Sequence, residues 1–342
     1  MNDLASTHEA RAKGFLHSAK LLFARLGVLP ILLVVAIVIF SLMSEHFLSV
    51  RNITNVARQS TYLIVVSLGQ MIALISGGID LSVGVTVALS SVICALTMSA
   101  LSTVFPESIV LIITLGALAG FLGASLMGLI NGVGIAFLGV SPFMMTLGLT
   151  SIGFGTALYL TAGIPVHGMP EEFGAIFGFG SFYGIPTPIY VTAAIVCGMS
   201  LLMNRTVLGR YFYAIGGNLN AARLSGINPH FSLLAAYVLC SALTALSGLM
   251  LTARLATGEA NIGAALPLES IAACVIGGVS LSGGIGRVGG VVLGAVFIAL
   301  VQNGMNLAHI NSYLQMVVMG VILIVAVIAD RIRLRLVKEL HA

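Results

Sequence analysis

Charge is what this chain has least of. Only 8% of its 342 residues are charged, against roughly 25% in an ordinary soluble domain, and that excludes a water-soluble fold. Tryptophan is absent, so anchoring at a membrane interface falls to tyrosine and to the basic residues. Lysine occurs at Lys13, Lys20 and Lys338, none of them in a GxxxxGK[ST] loop. The chain therefore cannot hold nucleotide phosphates in the P-loop manner, and any ATP is hydrolysed by another subunit. Cys94, Cys197, Cys240 and Cys274 all fall inside apolar runs without CxxC pairing, which argues against a disulfide framework or a zinc site. No GxSxG elbow and no HExxH is present. Gly284–Gly289 spells GxGxxG, but it follows an apolar run instead of a strand, so it is no dinucleotide loop.

What the chain does have is apolar length. Hydrophobic residues make up 58% of it, with 40 glycines. The runs are near the ~20 residues a helix needs to cross ~30 Å of hydrocarbon and too long for barrel strands. They lie at about 27–45, 59–79, 81–101, 109–137, 141–161, 188–203, 231–253, 268–282, 288–307 and 312–329. The expected fold is an all-α integral membrane protein of about ten transmembrane helices, N- and C-termini cytoplasmic. It divides into a cytoplasmic N-terminal segment 1–26, a transmembrane domain 27–330 containing an inner loop 204–230, and a cytoplasmic basic tail 331–342. The first run resembles a signal peptide, but no small-x-small cleavage site follows it, so it is read as an uncleaved helix.

Orientation follows from the basic residues. Arg11, Lys13, Lys20 and Arg25 precede the first run, Arg205, Arg210 and Arg223 occupy the 204–230 loop, Arg287 lies in another loop, and Arg331, Arg333, Arg335 and Lys338 lie in the tail. Placing these inside leaves Arg51, Arg58 and Arg254 outside, a strong positive-inside bias. The net charge of +4 belongs to this bias and implies no affinity for nucleic acid.

Small residues recur at Gly116, Gly120, Ala124, Gly128 and Gly132, one helix face on which a neighbouring backbone can pack closely. A second stripe runs from Gly286, Gly290 and Gly294 through Ile298 to Gln302 and Asn306. With Asn131 and Asn303, its amides either join helices or line a route for a hydroxylated solute. Asp80 is the most informative single residue, because a charge at membrane depth costs about 2.5–3.5 kcal/mol. Either its carboxylate caps the third span at the cytoplasmic surface, or it faces a cavity at a break between spans. Gly77–Gly84 and Gly277–Gly284 share a GG[IV]xLSxG frame, which reads as an internal repeat or as a chance recurrence in a glycine-rich chain. In the inner loop, Asn218 is a good N-cap and Gly226 a good C′ residue for a two-turn helix through Ala221, Ala222, Arg223, Leu224 and Ser225. So short a helix is marginal alone and must dock on the protein or on a partner.

Several strings resemble the ribose/xylose/galactose-type permeases of ABC sugar importers. They are Gly78-Ile79-Asp80-Leu81-Ser82-Val83-Gly84, Leu129-Ile130-Asn131-Gly132, Pro142-Phe143 with Thr146-Leu147-Gly148, Gly209-Arg210 with Ala214-Ile215-Gly216-Gly217-Asn218, Ala221 through Ile227, and Ile271-Ala272-Ala273 through Gly286. The likeness runs in order from about residue 50 to 330. It implies a multi-pass permease of the bacterial inner membrane, paired as a homodimer or with a related copy. A cytoplasmic ABC ATPase would bind ATP and magnesium and hydrolyse the ATP, so by this likeness the chain needs no cofactor or metal of its own and catalyses nothing. A periplasmic sugar-binding protein would deliver a monosaccharide outside. By the same likeness, 209–227 is the segment that couples to the ATPase, through Gly209, Arg210, Gly216, Gly217, Asn218 and Ala221–Gly226. Two departures bear on substrate. Similar permeases read Gly-Met-Thr where this chain has Gly69-Gln70-Met71, which puts Gln70 among the candidate pathway residues with Asp80, Ser82, Asn131, Gln302, Asn303 and Asn306. They also carry an acidic-Leu-acidic triplet where it has Pro267-Leu268-Glu269, near the surface where the binding protein docks. The rival readings are an ion-coupled secondary transporter with Asp80 carrying a proton or sodium, and an intramembrane enzyme, which lacks any paired nucleophile and base here.

Overall fold

The structure, a computed structural model, describes residues 29–341. The segment 1–26 with its four basic residues, and the start of the first run at Gly27, lie outside the described residues. So do the side chains of Arg333, Arg335 and Lys338.

The long helices are α1 (Leu29–Met43), α2 (Val50–Ile75), α3 (Val83–Val104), α4 (Ile109–Ala136), α5 (Pro142–Thr161), α6 (Thr187–Arg205), α9 (Pro229–Leu255), α10 (Leu266–Ile276), α11 (Val288–Leu307) and α12 (Ser312–His341). Between α6 and α9 lie two shorter ones, α7 (Val207–Gly217) and α8 (Leu219–Leu224). Each expected apolar run falls on a helix. Six of these helices, α3, α4, α5, α6, α9 and α11, are long and apolar enough to cross a membrane by themselves. The long loop after α5 folds into a π-helical turn, Gly174–Gly178, and a two-residue hairpin of β1 (Ser181–Phe182) and β2 (Ile185–Pro186). Its exposed Phe177, Phe179, Phe182 and Tyr183 are the amphipathic aromatics expected at a membrane boundary in a chain without tryptophan.

α2 is the axis of the molecule. Every residue from Ser60 to Ser76 is buried, as a helix that is apolar all round its circumference requires. α9, α10 and α11 pack directly on it. α4 shows how the outer layer is built. Leu111, Leu115, Leu118, Leu122, Leu126 and Leu129 form one exposed stripe, suited to lipid. Its opposite, small-residue stripe packs inward: a Cβ added at Gly120 would lie 2.6 Å from the Ser90 carbonyl oxygen, and one at Gly128 2.7 Å from the Ser241 side chain. The packing reading of that stripe holds. The second stripe is also an interface, since Gly290 and Gly294 lie against the α10 backbone at Gly277 and Ala273.

Two expected spans end early. The helices stop at Ile75 and Ile276 instead of running to 79 and 282. The reason is a shared chain reversal. The Ser76, Gly77 and Gly78 N–H groups donate to Ile72, Leu74 and Ala73, and those of Gly277, Gly278 and Val279 to Ala273, Val275 and Cys274. Gly77 and Gly278 sit at φ +87° and +86°, a left-handed stop that glycine adopts without a Cβ clash. These bonds align Gly77 with Gly278. The turns that follow align Asp80 with Ser280, because Ser82 N–H donates to Asp80 Oδ1 and Ser282 N–H to Ser280 Oγ. The local structure thus recurs with one residue fewer in the second copy. α10, at 11 residues, spans only ~16 Å at 1.5 Å per residue, half the hydrocarbon thickness.

Candidate functional site

Three chain reversals meet at one end of the bundle: the 76–82 loop, the α7–α8 pair and the 277–287 loop. α7 is capped by Thr206, whose Oγ1 accepts from Gly209 N–H at 3.1 Å. It buries Gly209, Phe212 and Ile215 along one face. Its last turn presses backbone on backbone. A Cβ at Gly216 would overlap the Ile75 carbonyl oxygen and lie 2.8 Å from Gly284 N, and one at Gly283 would lie 2.6 Å from Gly216 O and 3.1 Å from Gly77 Cα. Gly284 N–H donates to Ile75 O at 2.9 Å, satisfying a carbonyl that the end of α2 leaves open. Tyr213 Oη donates to Gly286 O at 3.0 Å. Burial pushes that phenol's pKa up, while Arg287 nearby pulls it down.

α8 has the limits and caps its sequence implies. Asn218 Oδ1 accepts from Ala221 N–H at 3.0 Å, and Gly226 (φ +81°) lets Ile227 N–H return to Ala222 O. Only Ala222 of this helix is buried. Arg210, Gly217, Ala221, Arg223, Leu224 and Ser225 are exposed, Leu224 at 90%. A Cβ at Gly217 meets nothing within 4 Å. The 209–227 segment is therefore anchored on one side and open on the other. The contributions of Tyr213, Gly77, Gly283 and Gly284 were missed by sequence reasoning, although the repeated GG frame was a signal for three of them.

The seven candidate pathway residues do not converge. Asp80, Ser82 and Asn131 form a buried chain: Ser82 Oγ donates to Asp80 Oδ1 at 2.6 Å, and Asn131 Nδ2 donates to Ser82 Oγ at 2.8 Å. Asp80 thus serves the turn that starts α3, as the capping reading has it, but it is wholly buried instead of lying at the surface. Tyr237 closes over this turn, its hydroxyl filling the space a Cβ at Gly78 would need. Gln70 is wholly buried, and its amide has no hydrogen-bond partner among the described residues. Asn303 pairs with Asn52 through two reciprocal bonds of 2.9 and 3.0 Å, joining α2 to α11. Asn306 accepts from Gln315 at 2.8 Å. Gln302 donates to Glu269 at 2.6 Å and lines a cavity of about 450 Å³ between α10, α11 and α12. Glu269, expected near the surface where the binding protein docks, is half-buried and turned onto Gln302.

Residues 52–327 match the family described as branched-chain amino acid transport system / permease component. The chain belongs to this family. The ribose import permease protein RbsC of Escherichia coli K12 is 37% identical to the permease over 304 residues, 88% of this chain and 92% of the relative. The D-allose transport system permease protein AlsC of the same organism is 35% identical, covering 91% and 93%. The galactose/methyl galactoside import permease protein MglC of Salmonella typhimurium LT2 is 36% identical, covering 90% and 94%. The resemblance to sugar permeases drawn from the motifs is thereby established. No solved structure matches the chain.

Proposed function

We propose that this permease forms the translocation path of an ATP-binding-cassette importer for a monosaccharide: a ribose-like pentose, a hexose or a related small polyol. A sugar-binding protein delivers the solute on the outer face, a cytoplasmic ATPase binds ATP with magnesium and hydrolyses it, and a second permease copy completes the path. The observation that carries this reading is the α7–α8 pair. It presents exposed Gly217, Ala221, Arg223 and Leu224 to a partner while its Gly216 bears on the ends of α2 and of the 277–287 loop. A push on the open side reaches two backbone segments that start transmembrane helices. A partner shifts such an equilibrium only through different affinity for its states. The relatives named for ribose, allose and galactose support sugar over amino acid.

The reading includes ten passes through the bacterial inner membrane with both termini cytoplasmic. The 76–82, 204–230 and 277–287 loops share one end of the bundle, and Val166 bridges Gly258 between two loops that ten passes assign to the other side. The short α10 then completes its pass through the 277–287 loop, irregular backbone that is tolerated at membrane depth only where protein buries it.

Gly217→Leu and Leu224→Asp test the coupling role. Leu224 is 90% exposed and a Cβ at Gly217 has open space around it, so both variants are expected to insert normally, yet to lose stimulation of ATP hydrolysis by the loaded binding protein and lose uptake with it. Full stimulation and uptake in both variants would reject the coupling role.

A further inference from the structure

Among the described residues, Glu269 is the sole acidic one in the helices labelled α1 to α11; Glu171 and Glu172 lie in a single turn of the loop after α5. A carboxylate at the start of α10 has a ready use on that helix's free N–H groups. Its oxygen instead reaches across to Gln302 on α11, and both residues line the cavity of about 450 Å³, joined by Gln315 from the first turn of α12. The volume falls within the range of about 300–1,000 Å³ of small-molecule sites. Apart from Ser312 at the rim, the rest of the lining is apolar, chiefly Met316, Met319 and Leu323. A few convergent polar groups on an apolar wall are the pattern of a ligand pocket, and an ionisable residue at membrane depth is a functional candidate by default.

We propose that this cavity is the first station of the solute in the permease, and that Glu269 and Gln302 select there for neutral, hydroxylated molecules. The site rests on the importer reading above and names its substrate class. A carboxylate accepts hydrogen bonds from neighbouring hydroxyls, the carboxamides of Gln302 and Gln315 both donate and accept, and the Met and Leu walls cover the C–H face of a sugar ring. An amino acid is matched at one end only: its ammonium can pair with Glu269, but its carboxylate finds no basic residue in the lining, whereas a neutral polyol leaves no charge unpaired. The place also suits entry. Ala264 and Ala265, before α10, and Ser312, at the start of α12, form the rim, which ten passes put on the binding protein's side.

The test uses the assembled importer, with its ATPase and binding protein, and radiolabelled D-ribose, D-allose, D-galactose and L-leucine as probes. Sugar moved per ATP hydrolysed is measured for Glu269→Gln and for Gly320→Leu. A Cβ at Gly320 meets nothing within 4 Å, and Gly320 lines the cavity, so this second variant adds bulk to the cavity from a position with open space around its Cβ. The expected result is a fall of about tenfold in sugar per ATP for Glu269→Gln, the size of one lost hydrogen bond to a charged group. Its ranking of the sugars should change, while ATPase stimulation by the loaded binding protein persists. Gly320→Leu should exclude the hexoses more than ribose. An unchanged ranking and stoichiometry in both variants overturns the site, as does movement of L-leucine at the rate of the sugars. Separation of the paired permease copies by Gly320→Leu with the ranking intact also overturns it and assigns the cavity to the subunit interface. A wild-type importer whose ATPase does not respond to any loaded sugar rejects the proposed function itself.

Discussion

Asp80 commits one carboxylate oxygen to the turn that opens α3, accepting from both the N–H and the hydroxyl of Ser82. An amide oxygen can accept the same two bonds. Asp80→Asn is therefore expected to lower thermal stability by about 1 kcal/mol or less and to leave ATP-driven uptake in place, whereas Asp80→Leu strands the Ser82 donors and costs about 1–3 kcal/mol. Loss of uptake in a correctly assembled Asp80→Asn variant would revive the ion-coupled reading, in which this group must change charge. Gln70 poses the opposite case, an amide desolvated without a protein partner. Replacing it with methionine removes that penalty, so Gln70→Met should raise the melting temperature by a few degrees, roughly what ~1 kcal/mol gives. A lower melting point in a detergent thermal scan would show that the amide is paired in the membrane. The turn role of Asp80 was one of two readings the sequence left open, and it is the local one: an acid two residues before Ser82 can accept from that residue's own N–H. The partners of Asn303 and Asn306 were not legible, because Asn52 and Gln315 come from elements whose contact no local pattern reports.

Helix ends were more legible than helix lengths. Asn218 and Gly226 mark α8 because a cap side chain and a left-handed glycine act within four residues of themselves. The stops at Gly77 and Gly278 carry the same signal, but hydropathy ran past them, since Ile79, Leu81, Val279 and Leu281 are as apolar as any helix residue. The short α10 could not be foreseen from its run for this reason. Its shortness is decided by the packing of the 277–287 loop on α7 and α2, a tertiary fact. The cap on α8 gives the element's own prediction. Asn218→Ala removes the acceptor for Ala221 N–H and should cost about 1 kcal/mol of local stability. A helix that buries one residue cannot absorb that loss. Expected is a partial drop in stimulated ATPase activity with membrane insertion unchanged, measured on the assembled importer. Wild-type stimulation would mean that the partner itself imposes the helix.

At the scale of the molecule, the apolar runs and the placement of the basic residues together imply a sided bundle, and contacts between distant loops agree with that sidedness. His230 Nδ1 meets Ala136 O at the end that carries α7 and α8, while the Val166–Gly258 bridge lies at the other. On the importer reading proposed above, the work is supplied by a partner. Asp80 gives one oxygen to the turn that opens α3, and the sequence holds no nucleotide-binding loop. The proposed reading has energy enter where the chain is open, at α7 and α8. In proteoliposomes containing this chain alone, proton and sodium gradients should drive no accumulation of D-ribose, D-allose or D-galactose, and added ATP should not be hydrolysed. Adding the ATPase and the loaded binding protein should produce accumulation that depends on ATP. Concentrative uptake in the first preparation, with no second protein present, would place the motor inside this chain and remove the reason for its exposed inner helices.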